Sequence, residues 1–222
     1  TAKQGGTDDA PVITADIPRK LMGTVAGRVG EPMAVGNEAA GVVVAAGSDE
    51  AAQALMGKTV AIVGGEMFAS YRCVKAMMAL PMLEGIAPAE AASSFVNPMT
   101  ALGMVETMRE EGFTALVHTA AASNLGQMLN RVCIADGIEL VNIVRKPEQE
   151  EILREIGAKY VVNSSADSFA EDLTAAIEAT GAYLAFDATG GGNMANTILT
   201  CMERAATKGM EYNRYGSDTL KK

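Results

Sequence analysis

The 222-residue sequence predicts an α/β fold, in which a doubly wound parallel sheet is preceded by a β-rich segment. Two observations support this prediction. After residue 114, short apolar runs alternate with stretches of helical period, an order typical of parallel strands joined by helices. Before about residue 85, short apolar runs are separated only by glycine-containing turns, which is typical of β-rich structure.

The alternating half contains four predicted strands, each followed by a helix. The strands are 115–117, 138–144, 159–163 and 183–186. A helix follows the first strand after a short loop, and the later helices are 147–156, 168–180 and 193–207. Pro147 suits the first turn of a helix, whereas Gly157 and Gly181 suit the ends of two others. Connections of this kind predict right-handed crossovers between parallel strands.

The first half is less regular. Strands are predicted at 42–45, 59–63 and 68–74, and two helices are predicted within 88–112, on either side of Val96, Asn97 and Pro98. Residues 1–35 are rich in Gly, Pro and Thr, and their pattern predicts no element. We expect a partial β-rich domain over residues 1–95 and a second, α/β domain over residues 96–222.

The loop after the first strand of the alternating half has the spacing of a dinucleotide-binding motif. Ala121, Ser123 and Gly126 occupy the three glycine positions of G-x-G-x-x-G, so two of the three glycines are replaced. The first position makes a tight turn, the second lets the backbone approach a pyrophosphate, and the third lets the helix lie close. Together with Asn124 and Leu125, these residues predict a Rossmann-like phosphate site at a helix N-terminus. We therefore expect residues 96–222 to form a dinucleotide-binding domain.

The next predicted strand ends at Arg145 and Lys146, where an NAD-specific protein carries an acidic residue for the ribose 2′-hydroxyl. A guanidinium at this place suits a 2′-phosphate, because its planar fork matches phosphate oxygens. We therefore expect the cofactor to be NADPH. The alternative is that Arg145 and Lys146 are a solvated pair preceding the helix that starts at Pro147.

Composition excludes several classes of function. The formal net charge is −9 and no basic cluster is present, which argues against nucleic acid or an anionic membrane as a partner. The N-terminus has neither the basic start nor the apolar core of a signal peptide, so we expect a cytoplasmic protein. The single histidine, His118, cannot supply the imidazoles of a His-based zinc site, and the three cysteines lie far apart in sequence.

Several segments occur in an order that resembles the medium-chain dehydrogenase/reductase superfamily, especially its zinc-free quinone reductase and enoyl reductase branches. The similar segments are 36–48 (GNEAAGVVVAAGS), 57–60 (GKTV), 97–101 (NPMTA), 121–127 (AASNLGQ), 144–149 (VRKPEQ), 156–158 (IGA) and 186–191 (FDATGG). The resemblance covers roughly residues 34–222. It implies that the β-rich segment is a partial GroES-like catalytic domain.

The resemblance also implies a chemistry. Asn37 stands where zinc-dependent relatives carry the metal-binding histidine, which implies that no zinc is bound. The implied reaction is hydride transfer from NADPH to a small-molecule acceptor, either a quinone or an activated double bond. By position, Asn97 and Thr100 would lie near the nicotinamide, and no residue is assigned as the proton donor. Gly190 is expected at the edge of the cofactor or, equally well, in a plain strand-to-helix turn.

Members of the superfamily are usually longer at both ends than this chain. From that comparison we expect an unpaired sheet edge and self-association into a homo-oligomer. An alternative function follows as well, in which the chain is a catalytically idle fragment that binds nucleotide or associates with other chains.

Overall fold

The structure is a computed structural model that describes residues 2–7, 10–32 and 35–222. The strands in this part of the chain are β1 (Ala2–Thr7), β2 (Ala10–Ala15), β3 (Glu38–Val42), β4 (Thr59–Val63), β5 (Ala79–Pro81), β6 (Ala115–His118), β7 (Glu139–Val144), β8 (Tyr160–Asn163) and β9 (Leu184–Phe186). The α-helices are α1 (Met22–Val25), α2 (Glu50–Gln53), α3 (Pro88–Ala91), α4 (Val96–Glu110), α5 (Asn124–Asp136), α6 (Pro147–Glu155), α7 (Phe169–Thr180) and α8 (Met194–Thr207).

The described residues divide into two units. The first comprises residues of 1–37 and 64–72, and the second comprises residues 38–63 and 73–222. In the first unit, β1 and β2 form an antiparallel hairpin in which Ala2 lies opposite Ala15. Short helices follow the hairpin, and Glu66 forms an ion pair with Arg72 at 2.7 Å. The domain boundary between residues 95 and 96 stays a prediction.

The second unit contains a small antiparallel sheet, ordered β3-β4-β5. Its middle strand carries the buried part of this sheet, since Val60, Ala61 and Ile62 are all buried. This sheet confirms the prediction that the chain before the parallel sheet is β-rich.

The second unit also contains the four-stranded parallel sheet, ordered β8-β7-β6-β9. Its register pairs Val117 with Val141 on one side and with Ala185 on the other. Strand β6 is therefore central, and the strand order reverses beside it. The α/β class and the doubly wound parallel sheet predicted from the sequence are confirmed.

Helices cover both faces of the parallel sheet because alternate strand residues are apolar on each face. Val117 and Ile143 pack with α7 and α8, in a cluster that includes Leu173 and Met202. On the opposite face, α4 and α5 pack against the residues that alternate with these. That second cluster comprises Ala101, Val105, Met108, Leu116, Leu129, Cys133, Leu140 and Leu184.

Two predictions for the first half of the chain need correction. Residues 68–74 form no strand, and Phe68 and Tyr71 are 83% and 79% exposed, so this aromatic run has no core face to bury. The predicted strand 42–45 overlaps β3 only at Val42, although Val43 still donates to the carbonyl of Lys58 at 3.0 Å. The hairpin β1–β2 and strand β5 were not predicted.

In the part of the chain that the structure describes, no helix combines the length and the apolar character needed to cross a bilayer.

Candidate functional site

The loop between β6 and α5 is closed by its own polar groups. Ser123 is the N-cap of α5, and its hydroxyl accepts from the N–H of Gly126 at 3.2 Å. The side-chain amide of Gln127 donates to the carbonyl of Ala122 at 2.9 Å. These bonds fix the first turn of α5, where the N–H groups of Asn124 and Leu125 have no intrahelical acceptor.

Gly126 lies against the backbone at the start of the same loop. A Cβ on Gly126 would stand 2.1 Å from the carbonyl oxygen of Ala121 and 2.7 Å from its Cα. No side chain fits at that distance, so the third position of the motif requires glycine here. Ala121 itself is buried, and its N–H donates to the carbonyl of Ile143 at 3.2 Å. This close approach is the geometry that a dinucleotide-binding helix needs.

A cavity of about 410 Å³ opens at the carboxyl ends of the parallel strands. This volume lies in the range of small-molecule pockets, and ligands of open α/β sheets bind at this edge, where the strand order reverses. Its lining residues come from the ends of β6, β7, β8 and β9, from α6 and from the start of α8, and none comes from α5. They are Thr119, Ala120, Ile143, Val144, Arg145, Gln149, Ser164, Thr189, Gly191, Asn193 and Met194.

Arg145 lines the cavity with its backbone held in place. Its N–H donates to the side-chain oxygen of Gln149 at 3.0 Å, and its carbonyl accepts from the hydroxyl of Ser165 at 2.9 Å. The side chain is exposed, and within residues 2–7, 10–32 and 35–222 it forms no ion pair. Lys146, the N-cap residue of α6, is exposed and is not among the lining residues. A free guanidinium at the mouth of a cavity can bind an anion.

The ends of β6 and β9 meet at the other side of the cavity. Thr119 donates to Asp187 at 2.7 Å, and the next residues form a turn that contains Gly190 at φ +61°. Thr189 and Gly191 of this turn line the cavity, whereas Gly190 does not. Burial, the largest single influence, would raise the pKa of Asp187, but hydrogen bonds from Thr189 and Thr119 together hold that pKa below its usual value.

The predicted nicotinamide residues lie on α4, outside the lining of this cavity. Asn97 is in the first turn of α4, and the hydroxyl of Thr100 donates to the carbonyl of Val96 at 2.7 Å. The segment is therefore the start of a helix, with Pro98 in the first turn. The roles of Asn97 and Thr100 toward a cofactor stay predictions, as do those of Ala121, Ser123, Asn124, Leu125, Gly126, Arg145, Lys146 and Gly190.

His118 is fully buried at the end of β6. Its Nδ1 lies 3.1 Å from the carbonyl oxygen of Phe186, while Nε2 has no hydrogen-bond partner in the described structure. Burial lowers the pKa of His118. In the described part of the chain, no three His, Cys, Asp or Glu side chains are grouped closely enough to hold a metal ion.

Cys133 is buried on α5, and this burial raises the pKa of its thiol to about 12. A thiol in this state is a packing group rather than a nucleophile.

Sequence reasoning missed several lining residues, above all Thr119, Ser164 and Thr189. Thr119 directly follows β6, Ser164 directly follows β8, and Thr189 follows β9 after two residues. The rule that ligands collect at the carboxyl ends of parallel strands would have selected these positions. Their residue types alone, small and hydroxylic, are unremarkable in loops.

Comparisons with known proteins agree with this geometry. A family model described as zinc-binding dehydrogenase matches residues 125–209. A structure from Mesorhizobium loti, described as a candidate NADPH:quinone reductase, is 32% identical, with a TM-score of 0.66. The match covers 75% of this chain and 49% of that one. A similarly described structure from Bacillus thuringiensis is 25% identical, with a TM-score of 0.66, and the match covers 81% of this chain and 54% of that one.

A third structure, the quinone oxidoreductase of Escherichia coli in complex with NADPH, is 18% identical and shows likeness of fold alone. Its TM-score is 0.63, and the match covers 88% of this chain and 67% of that one. The chain spans about half the length of the first two structures.

Proposed function

Because the chain belongs to the medium-chain dehydrogenase/reductase superfamily, we propose that it is an oxidoreductase that binds NADPH and reduces a quinone or an activated double bond. The observation that carries this proposal is the cavity at the carboxyl ends of β6, β7, β8 and β9, with Arg145 in its lining. The structures from Mesorhizobium loti and Bacillus thuringiensis, which are 32% and 25% identical to the chain, are both described as NADPH:quinone reductases, and this description supports the same substrate class.

The residues present fit a dinucleotide. The close contact of Gly126 with Ala121 brings the first turn of α5 to the loop, so that its free N–H groups can receive a pyrophosphate. Arg145 can pair with a ribose 2′-phosphate, with the hydroxyl of Ser164 at the same cavity. When bound, the nicotinamide would supply the hydride, while the protein orients it and excludes water.

Selectivity for NADPH tests the cofactor assignment. We expect NADPH to bind at least roughly tenfold more tightly than NADH, because a charge-assisted contact with phosphate is worth about 1.5–3 kcal/mol. Arg145→Ala removes that preference, and Arg131→Ala, which changes an exposed arginine of α5 away from the cavity, retains it. Fluorescence titration of the unaltered protein and the two variants with both cofactors measures the six affinities needed. Equal affinities in the unaltered protein would contradict the assignment.

Turnover tests the reaction. We expect bound NADPH to be oxidised when a quinone is added, and an enoyl thioester serves as the second acceptor. If NADPH binds tightly but is oxidised by neither acceptor, the alternative function of a nucleotide-binding chain without catalysis is favoured. Self-association, which light scattering measures, stays a prediction.

A further inference from the structure

The hydroxyl of Thr119 joins two strand ends that are far apart in sequence. Thr119 directly follows β6 and is fully buried. Its Oγ1 donates to Oδ1 of Asp187 at 2.7 Å and accepts from the N–H of Ala188 at 2.7 Å. Its backbone N–H also donates to the carbonyl of Phe186 at 3.2 Å. The hydroxyl and the backbone N–H of Thr119 thus both form hydrogen bonds with the end of β9 and the residues after it.

Asp187 accepts several hydrogen bonds from the turn that follows it. Its Oδ1 accepts from Thr119 and also from the N–H and the hydroxyl of Thr189, at 2.9 and 2.5 Å. The turn continues through Gly190 and Gly192, both in the left-handed region at φ +61° and +68°. A glycine-rich segment gains little order from its own residues, because glycine has the widest backbone freedom. Contacts at the start of the turn are therefore needed to hold it.

This turn forms a wall of the cavity. Thr189 and Gly191 line the cavity, as does Thr119 itself. Apart from the backbone ladder that pairs β6 with β9, the described hydrogen bonds between the end of β6 and residues 186–189 involve Thr119 or the ring of His118. Loss of the Thr119 hydroxyl would thus leave Ala188 without its acceptor and Asp187 without one of its donors, at the base of the wall.

We propose that Thr119 and Asp187 are positioning residues for the dinucleotide, because their hydrogen bonds hold the turn at residues 188–192 in the form that closes one side of the cavity. This inference rests on the proposed function. The pair acts on a part of the cofactor different from the 2′-phosphate, since β9 flanks β6 on one side and β7, which leads to Arg145, flanks it on the other.

The position of Thr119 and Asp187, on the side of β6 away from Arg145, leads to a specific expectation for cofactor affinity. Loss of the hydrogen bonds between Thr119, Asp187 and Ala188 lowers the affinities for NADPH and for NADH by the same factor, so the ratio of the two affinities is unchanged. Changing Arg145 alters that ratio instead. A merely structural role for Thr119 would lower the stability of the fold and leave both affinities unchanged at a temperature well below unfolding.

The experiment compares Thr119→Val with Thr119→Ser. Valine has the shape of threonine without its hydroxyl, whereas serine keeps the hydroxyl and lacks the methyl group. In fluorescence titrations well below the unfolding temperature, we expect Thr119→Val to bind both dinucleotides roughly tenfold more weakly, as loss of a hydrogen bond to a charged group implies. We expect Thr119→Ser to bind both within about twofold of the unaltered protein.

Amide hydrogen exchange gives a readout that needs no cofactor. We expect residues 188–192 to exchange faster in Thr119→Val, while α7 is unchanged. If Thr119→Val does not fold, Asp187→Leu and Asp187→Asn take its place, because asparagine keeps one oxygen acceptor and leucine keeps none.

Three results would overturn the inference: Thr119→Val binds both dinucleotides normally, it weakens only NADPH, or serine is as impaired as valine. If the unaltered protein binds NADPH in these cases, the proposed function still stands and only the role of Thr119 and Asp187 is rejected. If the unaltered protein binds neither dinucleotide, the proposed function fails and this role fails with it.

Discussion

The carboxylate of Glu38 accepts a hydrogen bond from the backbone N–H of Val96 at 2.8 Å, although 58 residues separate the two in sequence. The same oxygen accepts from the N–H of Phe95 at 3.0 Å. Val96 is the first residue of α4, whose own N-cap residue provides no side-chain acceptor. A residue of the antiparallel sheet therefore caps the helix that carries Asn97 and Thr100.

Loss of this cap should destabilise the protein. We expect Glu38→Ala to lower the free energy of unfolding by about 1 kcal/mol, as removal of an N-cap acceptor typically does. Glu38→Gln keeps an oxygen acceptor and should lose less. Urea unfolding monitored by circular dichroism measures both changes, and an alanine variant as stable as the unaltered protein would contradict the capping role.

A methyl group at Gly126 should be disruptive. Since its Cβ would stand 2.1 Å from the carbonyl oxygen of Ala121, Gly126→Ala forces the helix and the loop apart. We expect a loss of about 1–3 kcal/mol in stability and much weaker NADPH binding. Gly103→Ala is the matched control, because Gly103 lies within α4 and a Cβ there meets no atom within 4 Å.

Alanine at Gly103 should stabilise the protein by about 0.5–1 kcal/mol through the higher helix propensity of alanine. Thermal unfolding and NADPH titration of the two variants give the comparison. If Gly126→Ala behaves like Gly103→Ala, the close packing at the start of α5 is not required.

Stability should fall as the solution is acidified from pH 7.5 to 5, in part through His118. In the folded state Nδ1–H donates to Phe186, and a second proton on Nε2 would have no acceptor in the described structure, which is consistent with the lowered pKa. Above the ordinary value of 6.5 both states carry the neutral ring. Below it the unfolded chain takes up a proton that the folded protein resists, so unfolding becomes easier by at most about 1.4 kcal/mol per pH unit.

Replacing His118 with Phe removes this titration. We expect the variant to be less stable at pH 7.5, because it lacks the bond to Phe186, and to lose less stability between pH 7.5 and 5. Urea unfolding at three pH values gives, for each protein, the slope of the free energy of unfolding against pH. Parallel slopes for the two proteins would contradict a proton-linked role for His118.

We expect NADPH binding and any turnover to be independent of zinc. The resemblance implies that Asn37 stands where zinc-dependent relatives carry histidine, and a carboxamide is a poor zinc ligand compared with imidazole or thiolate. Elemental analysis of the purified protein should find far less than one zinc per chain, and a chelator should leave NADPH affinity unchanged. Stoichiometric zinc, lost together with activity on chelation, would show the opposite.

The parallel sheet could be predicted because its information is local. Each of its strands is a short apolar run, and α5 and α7 end at Gly137 and Gly181, which adopt the left-handed conformation at φ +68° in both cases. The run at residues 68–74 has a similar apolar content, but it lacks a face to bury, and burial depends on what the rest of the chain provides.

The candidate site was less predictable than the sheet, because among the ten residues predicted to bind the cofactor Arg145 alone lines the cavity. Arg145 could be selected because it stands at the end of the next predicted strand after the loop, and its role toward a cofactor stays a prediction. The roles of Thr119 and Glu38 depend on partners 68 and 58 residues away, which no local pattern reveals. Hydrogen bonds of this kind become visible only when the strand ends are brought together.

The order β8-β7-β6-β9 also has a consequence for how the chain acquires its fold. Strands β6, β7 and β8 follow one another along the chain and can assemble through local βαβ units. Strand β9 must instead return to β6 after the whole of that segment, a closure that costs more chain entropy. We therefore expect β9 to dock late, and the cavity beside it to exist only in molecules that have completed this step. Cofactor binding, on this account, reports the end of folding.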